Sequence, residues 1–302
     1  MNGVAFEAAE GFNPFQFGVV GASDTHTGAA SLAEDDYFSK VGLLDATPQL
    51  RGSVPLDEPD ADGNAYREVY YDTWGASGLT GVWAEENSRA AIYDAFRRRE
   101  TFATSGPRIV MRLFAGFGLP EDAHRRPDMG DPGHRQSLAT GDVVAMGGDL
   151  LPGDGVPTFV ATALKDPLGT PLQRLQIVKG WVEDGTPRER IYDVACSDGL
   201  TPDPRTHRCP DNGARVDLDT CRITAGRGAA ELAVTWQDPE FEAQQAAFYY
   251  LRVLENPTCR WSTWDAVRAG VAPREDLAAT IQERAWSSPI WYHASAASRA
   301  DG

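Results

Sequence analysis

Basic residues are scarce in this chain of 302 residues. It contains 28 Lys and Arg against 44 Asp and Glu, which gives a formal net charge of −16. This imbalance argues against a nucleic-acid-binding protein, which would present a basic surface, and against docking on anionic lipid. A substrate that is itself an anion would therefore need a local positive centre, such as a metal ion or a group of arginines.

Long hydrophobic runs are also lacking. No apolar run approaches the roughly 20 residues that a membrane-spanning helix needs, so no membrane insertion is expected. Residues 1–10 show neither the basic start nor the apolar run of a secretory signal peptide. The hydrophobic content of 42% is nevertheless ordinary for a globular protein, and the length is sufficient for two domains.

Cysteine is rare, and its four occurrences all fall in the second half of the chain. Cys196, Cys209, Cys221 and Cys259 lack the paired C-x-x-C spacing of a structural zinc site. We therefore favour disulfides, with three possible pairings, over a metal site. Disulfides would place the protein in an oxidising compartment outside the cytoplasm.

Acidic residues recur in the loop that follows the second cysteine. Asp211, Asp217 and Asp219 offer oxygen ligands of the kind that Ca²⁺ prefers. Their spacing does not match an EF-hand, so two interpretations stay open for this loop. It either binds calcium between Asp211 and Asp219 or is a surface loop stapled by disulfides.

One short stretch carries the strongest chemical signal in the chain. A predicted strand, Gln16–Val20, ends at a turn of small residues, and Asp24 and His26 follow it. Because residues i and i+2 of a strand point to one face, this carboxylate and imidazole are expected to emerge together. Such a pair suits a transition-metal ion. The alternative is a polar turn in which His26 is merely hydrogen-bonded.

The clearest helix is predicted to begin at Asn87 or Ser88 and to end in three consecutive arginines. Its apolar residues recur at helical spacing, and the arginines suit the negative C-terminal end of the helix dipole. Three arginines at such an end usually form a solvated cap, but they also offer positive charge to an anionic substrate. The candidates for catalytic contact with a substrate anion, ranked below the metal pair, are Arg98, Arg99 and Arg108.

From residue 108 onward the pattern changes to short β-strands. β-branched and aromatic runs alternate with turn residues, and no helical pattern separates them, which predicts a sandwich. The boundary is placed at Gly106-Pro107, so that the predicted domains are 1–106 and 107–302. The predicted strands are 109–114, 141–148, 158–164, 172–178, 190–195, 229–236, 248–254 and 289–292.

Three stretches taken together resemble one known family. Ser23-Asp-Thr-His26, residues 97–109 and residues 281–292 look like the DUF3604 family, which is itself related to PHP-type (polymerase and histidinol phosphatase) metallohydrolases. The resemblance extends over nearly the whole chain. It implies a distorted α/β barrel with two or three metal ions at the C-terminal ends of its strands. It also implies hydrolysis of phosphoesters, or of carboxylic or carbamic esters.

The resemblance carries over to two ligands. Asp24 and His26 match the family's late Asp-x-His motif, and Zn²⁺ or Mn²⁺ is the implied cofactor. The acidic triplet 34–36 is a weaker source of further oxygen ligands. The family's upstream His-x-His motif has no counterpart here, because the histidines are His26, His124, His134, His207 and His293. We expect His124 and His134 to be exposed and regard His293 as a weak candidate ligand.

These observations lead to one combined expectation. The fold class is α+β: the C-terminal remnant of a PHP-like α/β barrel, with its last strand and helix, followed by an antiparallel β-sandwich-like domain. The function is metal-dependent hydrolysis of a small-molecule phosphoester or related ester in the intact protein, which is periplasmic or secreted. The missing N-terminal part of the barrel is the expected protein partner. The alternative is a non-catalytic remnant, or a β-rich module for binding or packing.

Overall fold

The computed structural model describes residues 2–68, 72–126, 129–131 and 142–294. In this part of the chain, β-strands predominate over three α-helices and three short 3₁₀ helices. The α-helices are α1 (Asn2–Glu10), α2 (Arg89–Arg97) and α3 (Trp261–Ala269). The strands are β1 (Leu79–Val82), β2 (Thr101–Thr104), β3 (Val110–Gly116), β4 (Val143–Ala145), β5 (Asp149–Leu150), β6 (Thr158–Leu164), β7 (Leu172–Glu183), β8 (Thr186–Cys196), β9 (Val216–Asp217), β10 (Arg222–Ile223), β11 (Glu231–Gln237), β12 (Ala247–Glu255), β13 (Thr258–Cys259), β14 (Thr280–Ile281), β15 (Arg284–Ser287) and β16 (Ile290–Tyr292).

Two mainly antiparallel sheets contribute the core. The larger sheet has eight strands and centres on β12, which pairs with β7 along one side and with β15 and β16 along the other. β8 flanks β7 and forms one edge, while β2 and β1 extend the sheet beyond β15. β5 joins β16 in parallel. The smaller sheet has the strand order β11-β6-β3-β4.

The main hydrophobic core forms where alternate residues of these strands meet. Met111 and Leu113 on β3, Phe159 on β6, and Tyr249 and Leu251 on β12 belong to one cluster and are at most 1% exposed. The rings of Phe159 and Tyr249 lie 4.5 Å apart. The period of two that separates these buried positions is the signature of strands with one face in a core. The opposite face of the larger sheet is therefore left for the N-terminal segments.

The expectation of a barrel remnant followed by a sandwich is wrong. Within the described residues the strands close no barrel, and β1 and β2 pair into the same sheet as β15. The expected last barrel strand, Gln16–Val20, is not a strand. Its backbone is bound by side-chain hydroxyls: Val19 N–H donates to Ser288 Oγ at 3.0 Å, and Thr101 Oγ1 donates to Val19 O at 2.8 Å. Since these hydroxyls satisfy both backbone groups of Val19, no neighbouring barrel strand is needed there.

Helix α2 and the disulfides agree with expectation. The Oγ of Ser88 accepts the N–H of Ala91 at 3.3 Å and caps α2, which selects Ser88 over the neighbouring Asn87. All four cysteines are paired, as Cys196–Cys209 and Cys221–Cys259. These disulfides indicate an oxidising environment. None of the helices in the described ranges is long and apolar enough to cross a membrane.

Candidate functional site

The predicted metal pair lies on an exposed loop. Asp24 Oδ1 and His26 Nε2 are 3.8 Å apart, and these side chains are 73% and 65% exposed. Asp24 has a φ of 51°, in the left-handed region that residues with a Cβ seldom adopt. Backbone strain of this kind persists only where surrounding contacts impose it, and it is concentrated at functional loops. The carboxylate and the imidazole are thus held side by side in solvent.

A buried lysine fixes this loop from beneath. Lys40 Nζ donates to the carbonyl of Ser23 at 2.6 Å, and the carbonyl of Lys40 accepts the N–H of His26 at 2.7 Å. Asp45 Oδ2 in turn accepts the N–H of Lys40 at 2.8 Å. Burial lowers the pKa of Lys40, and the nearby carboxylates, that of Asp24 foremost, oppose this effect. The sequence offered no signal for Lys40, because it stands alone in an irregular stretch.

The acidic triplet does not join the metal pair. Glu34 is 4% exposed, and its two carboxylate oxygens accept the backbone N–H groups of Ala76 and Trp261 at 2.5 and 2.7 Å. Burial raises the pKa of Glu34. Glu34 therefore links the N-terminal loops to α3, whereas Asp35 and Asp36 are exposed on the surface.

Arg99 is held at the end of α2 by contacts with residues distant in the chain. Its Nη2 lies 2.9 Å from Asp149 Oδ2, and its Nη1 donates to the carbonyl of Gln16 at 3.0 Å. The same aspartate lies 2.9 Å from His293 Nε2, and this hydrogen bond raises the pKa of His293. Arg99 and His293 therefore share Asp149 as a partner.

The other two arginine candidates lie in different surroundings. Arg98 forms an ion pair of 3.4 Å with Glu100. Arg108 is exposed at the rim of a separate cavity, and its backbone N–H donates to Asp166 Oδ2 at 2.6 Å. In the described part of the chain, none of these contacts brings an arginine to the metal pair.

The remaining histidines and the possible calcium loop are engaged elsewhere. His124 Nδ1 lies 2.9 Å from Thr235 Oγ1, and the ring of His207 packs on Tyr192. His134 lies outside the described residues. The carboxylate of Asp211 pairs with Arg215 at 2.5 Å, and that of Asp217 accepts from Thr220 at 2.8 Å. Calcium binding in this loop stays a prediction.

Comparison with known proteins identifies one family. One protein-family model matches residues 1–294, and its description reads "Protein of unknown function (DUF3604)". This range includes the three stretches on which the resemblance rests. No curated protein and no solved structure shows significant similarity to the chain.

Proposed function

The chain belongs to the DUF3604 family, and from this premise we propose that it contributes Asp24 and His26 to the metal site of a hydrolase acting on phosphoesters or related esters. The observation that carries this proposal is the 3.8 Å approach of the two side chains on an exposed loop. The reaction class rests on the relationship to PHP-type metallohydrolases that we propose for the family.

The side chains of Asp24 and His26 are suitable ligands for a divalent transition metal. Two ligands are too few to complete a metal site. A carboxylate oxygen and a neutral imidazole nitrogen are both ordinary ligands of Zn²⁺, and Mn²⁺ accepts them as well. Zinc takes about three to four protein ligands. Across the residues whose positions are described, no group of three or more His, Cys, Asp and Glu side chains could hold a metal. We therefore propose that a further polypeptide segment supplies the missing ligands.

The residues of this chain would prepare such a site. A bound metal ion supplies a water of lowered pKa and polarises the ester or phosphoryl oxygen. Lys40 fixes the backbone on both sides of Asp24 through Ser23 and His26, so that the two ligands keep their orientation. We keep Arg98, whose side chain is 46% exposed beside Glu100, as a proposed contact for a substrate anion.

A periplasmic or secreted location forms part of this proposal. Both disulfides require an oxidising compartment to form and persist. The DUF3604 relationship is compatible with such a location.

A second candidate function is a non-catalytic module that binds or packs against a partner. A groove of about 1120 Å³ runs along the outer face of the larger sheet, beside residues 15–22. Phe17 and Val20 beside it are 57% and 60% exposed, and Trp286 and Trp291 form part of its wall. Contiguous apolar surface of this kind marks interaction sites.

Metal binding distinguishes the two functions. Because two protein ligands hold a metal ion only weakly, we expect the chain to retain Zn²⁺ or Mn²⁺ in equilibrium dialysis at millimolar metal, with water completing the coordination, and the double variant Asp24→Asn/His26→Ala to lose this bound metal. Asp62→Asn, which changes another exposed aspartate, is the matched control and should bind like the wild type. A wild-type chain without metal, or a double variant that keeps it, would reject the hydrolase proposal and favour the binding module.

A further inference from the structure

A second cavity, of about 320 Å³, lies between α3 and the ends of two strands of the larger sheet. Glu255 ends β12, Glu283 immediately precedes β15, and Trp264 belongs to α3; all three line the cavity. The N–H of Glu255 donates to the carbonyl of Glu283 at 2.9 Å, so the two glutamates occupy neighbouring positions. The volume lies within the range of roughly 300–1,000 Å³ that is usual for small-molecule sites.

Three residues that line this cavity each carry a buried polar atom without a hydrogen-bond partner in the described protein: Glu255 Oε1, Glu283 Oε1 and Trp264 Nε1. The two glutamates are only 1% and 5% exposed. Their other oxygens are occupied, because Glu255 Oε2 accepts from Thr170 Oγ1 at 2.7 Å and Glu283 Oε2 accepts from Ser105 Oγ. Buried polar groups are normally satisfied, so two acceptors and one donor left over in one cavity point to a ligand.

A glycine keeps space open beside one of these acceptors. A Cβ placed on Gly169 would lie 2.9 Å from Glu255 Oε1, which is too close for an unperturbed contact. Gly169 is not among the residues with positive φ, so its backbone conformation does not require glycine. What its missing side chain provides is room next to the carboxyl group.

We propose that this cavity binds a small organic ammonium compound that also carries a hydrogen-bond acceptor. An ammonium group donates up to three hydrogen bonds and has no acceptor, which matches the free oxygens of Glu255 and Glu283. The acceptor on the ligand meets the indole N–H of Trp264, which can only donate. This site is separate from the Asp24 and His26 pair, neither of which lines the cavity.

A metal ion matches the same cavity less well. Each of Glu255 and Glu283 offers a single free oxygen, and Glu34, which also lines the cavity, uses both of its oxygens for backbone N–H groups. The described residues contain no group of three side chains arranged to hold a metal. The cavity is also much larger than a bare ion requires.

The electrostatics of the cavity favour a cation. Burial raises the pKa of Glu255 to about 7 and that of Glu283 to about 8, and repulsion from neighbouring carboxylates adds to both shifts. A bound ammonium group would stabilise the ionised forms, so binding near neutral pH should release protons. The charged groups around the two glutamates are Glu34, Asp35, Arg108, Lys165, Asp166 and Arg284.

Nuclear magnetic resonance tests the proposal on the full chain. The chain has eight tryptophans, and Trp264→Phe identifies the indole N–H signal of Trp264. Ethanolamine and the larger phenylalaninol serve as probes, each with its neutral counterpart, ethylene glycol or 3-phenylpropane-1,2-diol. At least one amine is expected to shift the Trp264 signal saturably, and the diols are not. Calorimetry in buffers of different ionisation enthalpy should show proton release on amine binding near pH 7.

Variants locate the binding in the cavity. Glu255→Gln and Glu283→Gln should each weaken amine binding by at least about tenfold, because a charge-assisted hydrogen bond is lost. Asp62→Asn, at an exposed carboxylate that does not line the cavity, should bind like the wild type. Gly169→Ala should also weaken amine binding, because its Cβ crowds Glu255 Oε1. If a glutamine variant fails to fold, this variant tests whether the amine binds in the cavity.

Three results would overturn the proposal. The first is the absence of a saturable shift with either amine up to about 10 mM. At this concentration a site with a Kd of about 10 mM would be half occupied, so even weak binding would be seen. The second is an equal response to the diols, which would show that the charge has no role. The third is a Trp264 shift with CaCl₂ or MnCl₂ that the amines do not produce, which would assign the cavity to a metal ion.

Discussion

Arg51 donates two hydrogen bonds of 2.7 Å to the carboxylate of Asp265, and both side chains are buried. Asp265 lies on α3, and it also accepts from Ser53 Oγ at 2.6 Å. Arg51 Nη1 donates to the carbonyl of Phe38 at 2.8 Å. This ion pair therefore ties the irregular segment that contains Lys40 to a helix, and through Lys40 it supports the loop of the proposed metal ligands.

Breaking this pair should destabilise the whole protein. Arg51→Met or Asp265→Asn leaves a buried group without its partner, so we expect the free energy of unfolding to fall by about 3–5 kcal/mol. Urea denaturation measures the change. Arg188→Met, in the exposed pair with Glu183, is the control and should cost less than about 1 kcal/mol. A loss at Arg51 no larger than this control would contradict the structural role.

The left-handed backbone at Asp24 predicts opposite effects on stability and metal binding. Glycine adopts a φ of 51° without steric cost, so Asp24→Gly should raise the free energy of unfolding by up to about 1 kcal/mol. Asp24→Ala keeps the Cβ and should not gain this stability. Both variants should lose metal in dialysis if the proposed function holds. A less stable glycine variant would show that the carboxylate itself supports the loop.

Glu283 should make stability depend on pH. Burial raises its pKa from 4.5 to about 8, so the folded protein holds this proton more tightly than the unfolded chain does. Its stabilising contribution is complete below pH 4.5 and is lost as the pH rises through about 8. Glu283→Gln should therefore gain stability relative to the wild type between about pH 5 and about pH 8.5. Urea denaturation at both values, with Asp35→Asn as control, measures this; a constant difference would refute it.

The two disulfides should contribute unequally. Cys221–Cys259 spans 38 residues of sequence and Cys196–Cys209 spans 13, so chain entropy predicts about 4 and about 3 kcal/mol of stabilisation. The double alanine variant of the longer bridge should therefore have the lower melting temperature. Thermal denaturation without reductant compares them. Equal melting temperatures, or the reverse order, would show that local contacts outweigh loop length.

Local pattern was sufficient where an element depends on its own residues. Thr158–Leu164 alternates and is β-branched, and the predicted strand coincides with β6. The capping preferences of Asn87 and Ser88 predicted the start of α2 to within one residue, and the structure selects Ser88. Gln16–Val20 has the apolar composition of a strand, but its hydrogen bonds come from hydroxyls such as that of Ser288, far along the chain. The residues of a segment do not reveal partners so distant in the sequence, so the prediction of a barrel strand at Gln16–Val20 was wrong.

The same distinction applies to the sites. Asp24 and His26 stood out because they are one residue apart and match a motif. Glu255 and Glu283 are single glutamates that lie far apart in the sequence, and only the pairing of β12 with β15 brings them together. Their unpartnered oxygens depend on burial, which spacing in the sequence does not reveal. Long-range pairing therefore produces the second cavity.

The position of β8 at the edge of the larger sheet affects whether copies of the protein aggregate in solution. Among the described strands β8 pairs only with β7, so its other side is an edge of the sheet, where the N–H of Asp193 donates to the carbonyl of His207 at 2.9 Å. Arg188, Glu189 and Arg190 are exposed along this strand. Charges of both signs on an edge strand oppose its pairing with a second molecule. The large sheet is thus protected at this edge against growing from one copy to the next into aggregates.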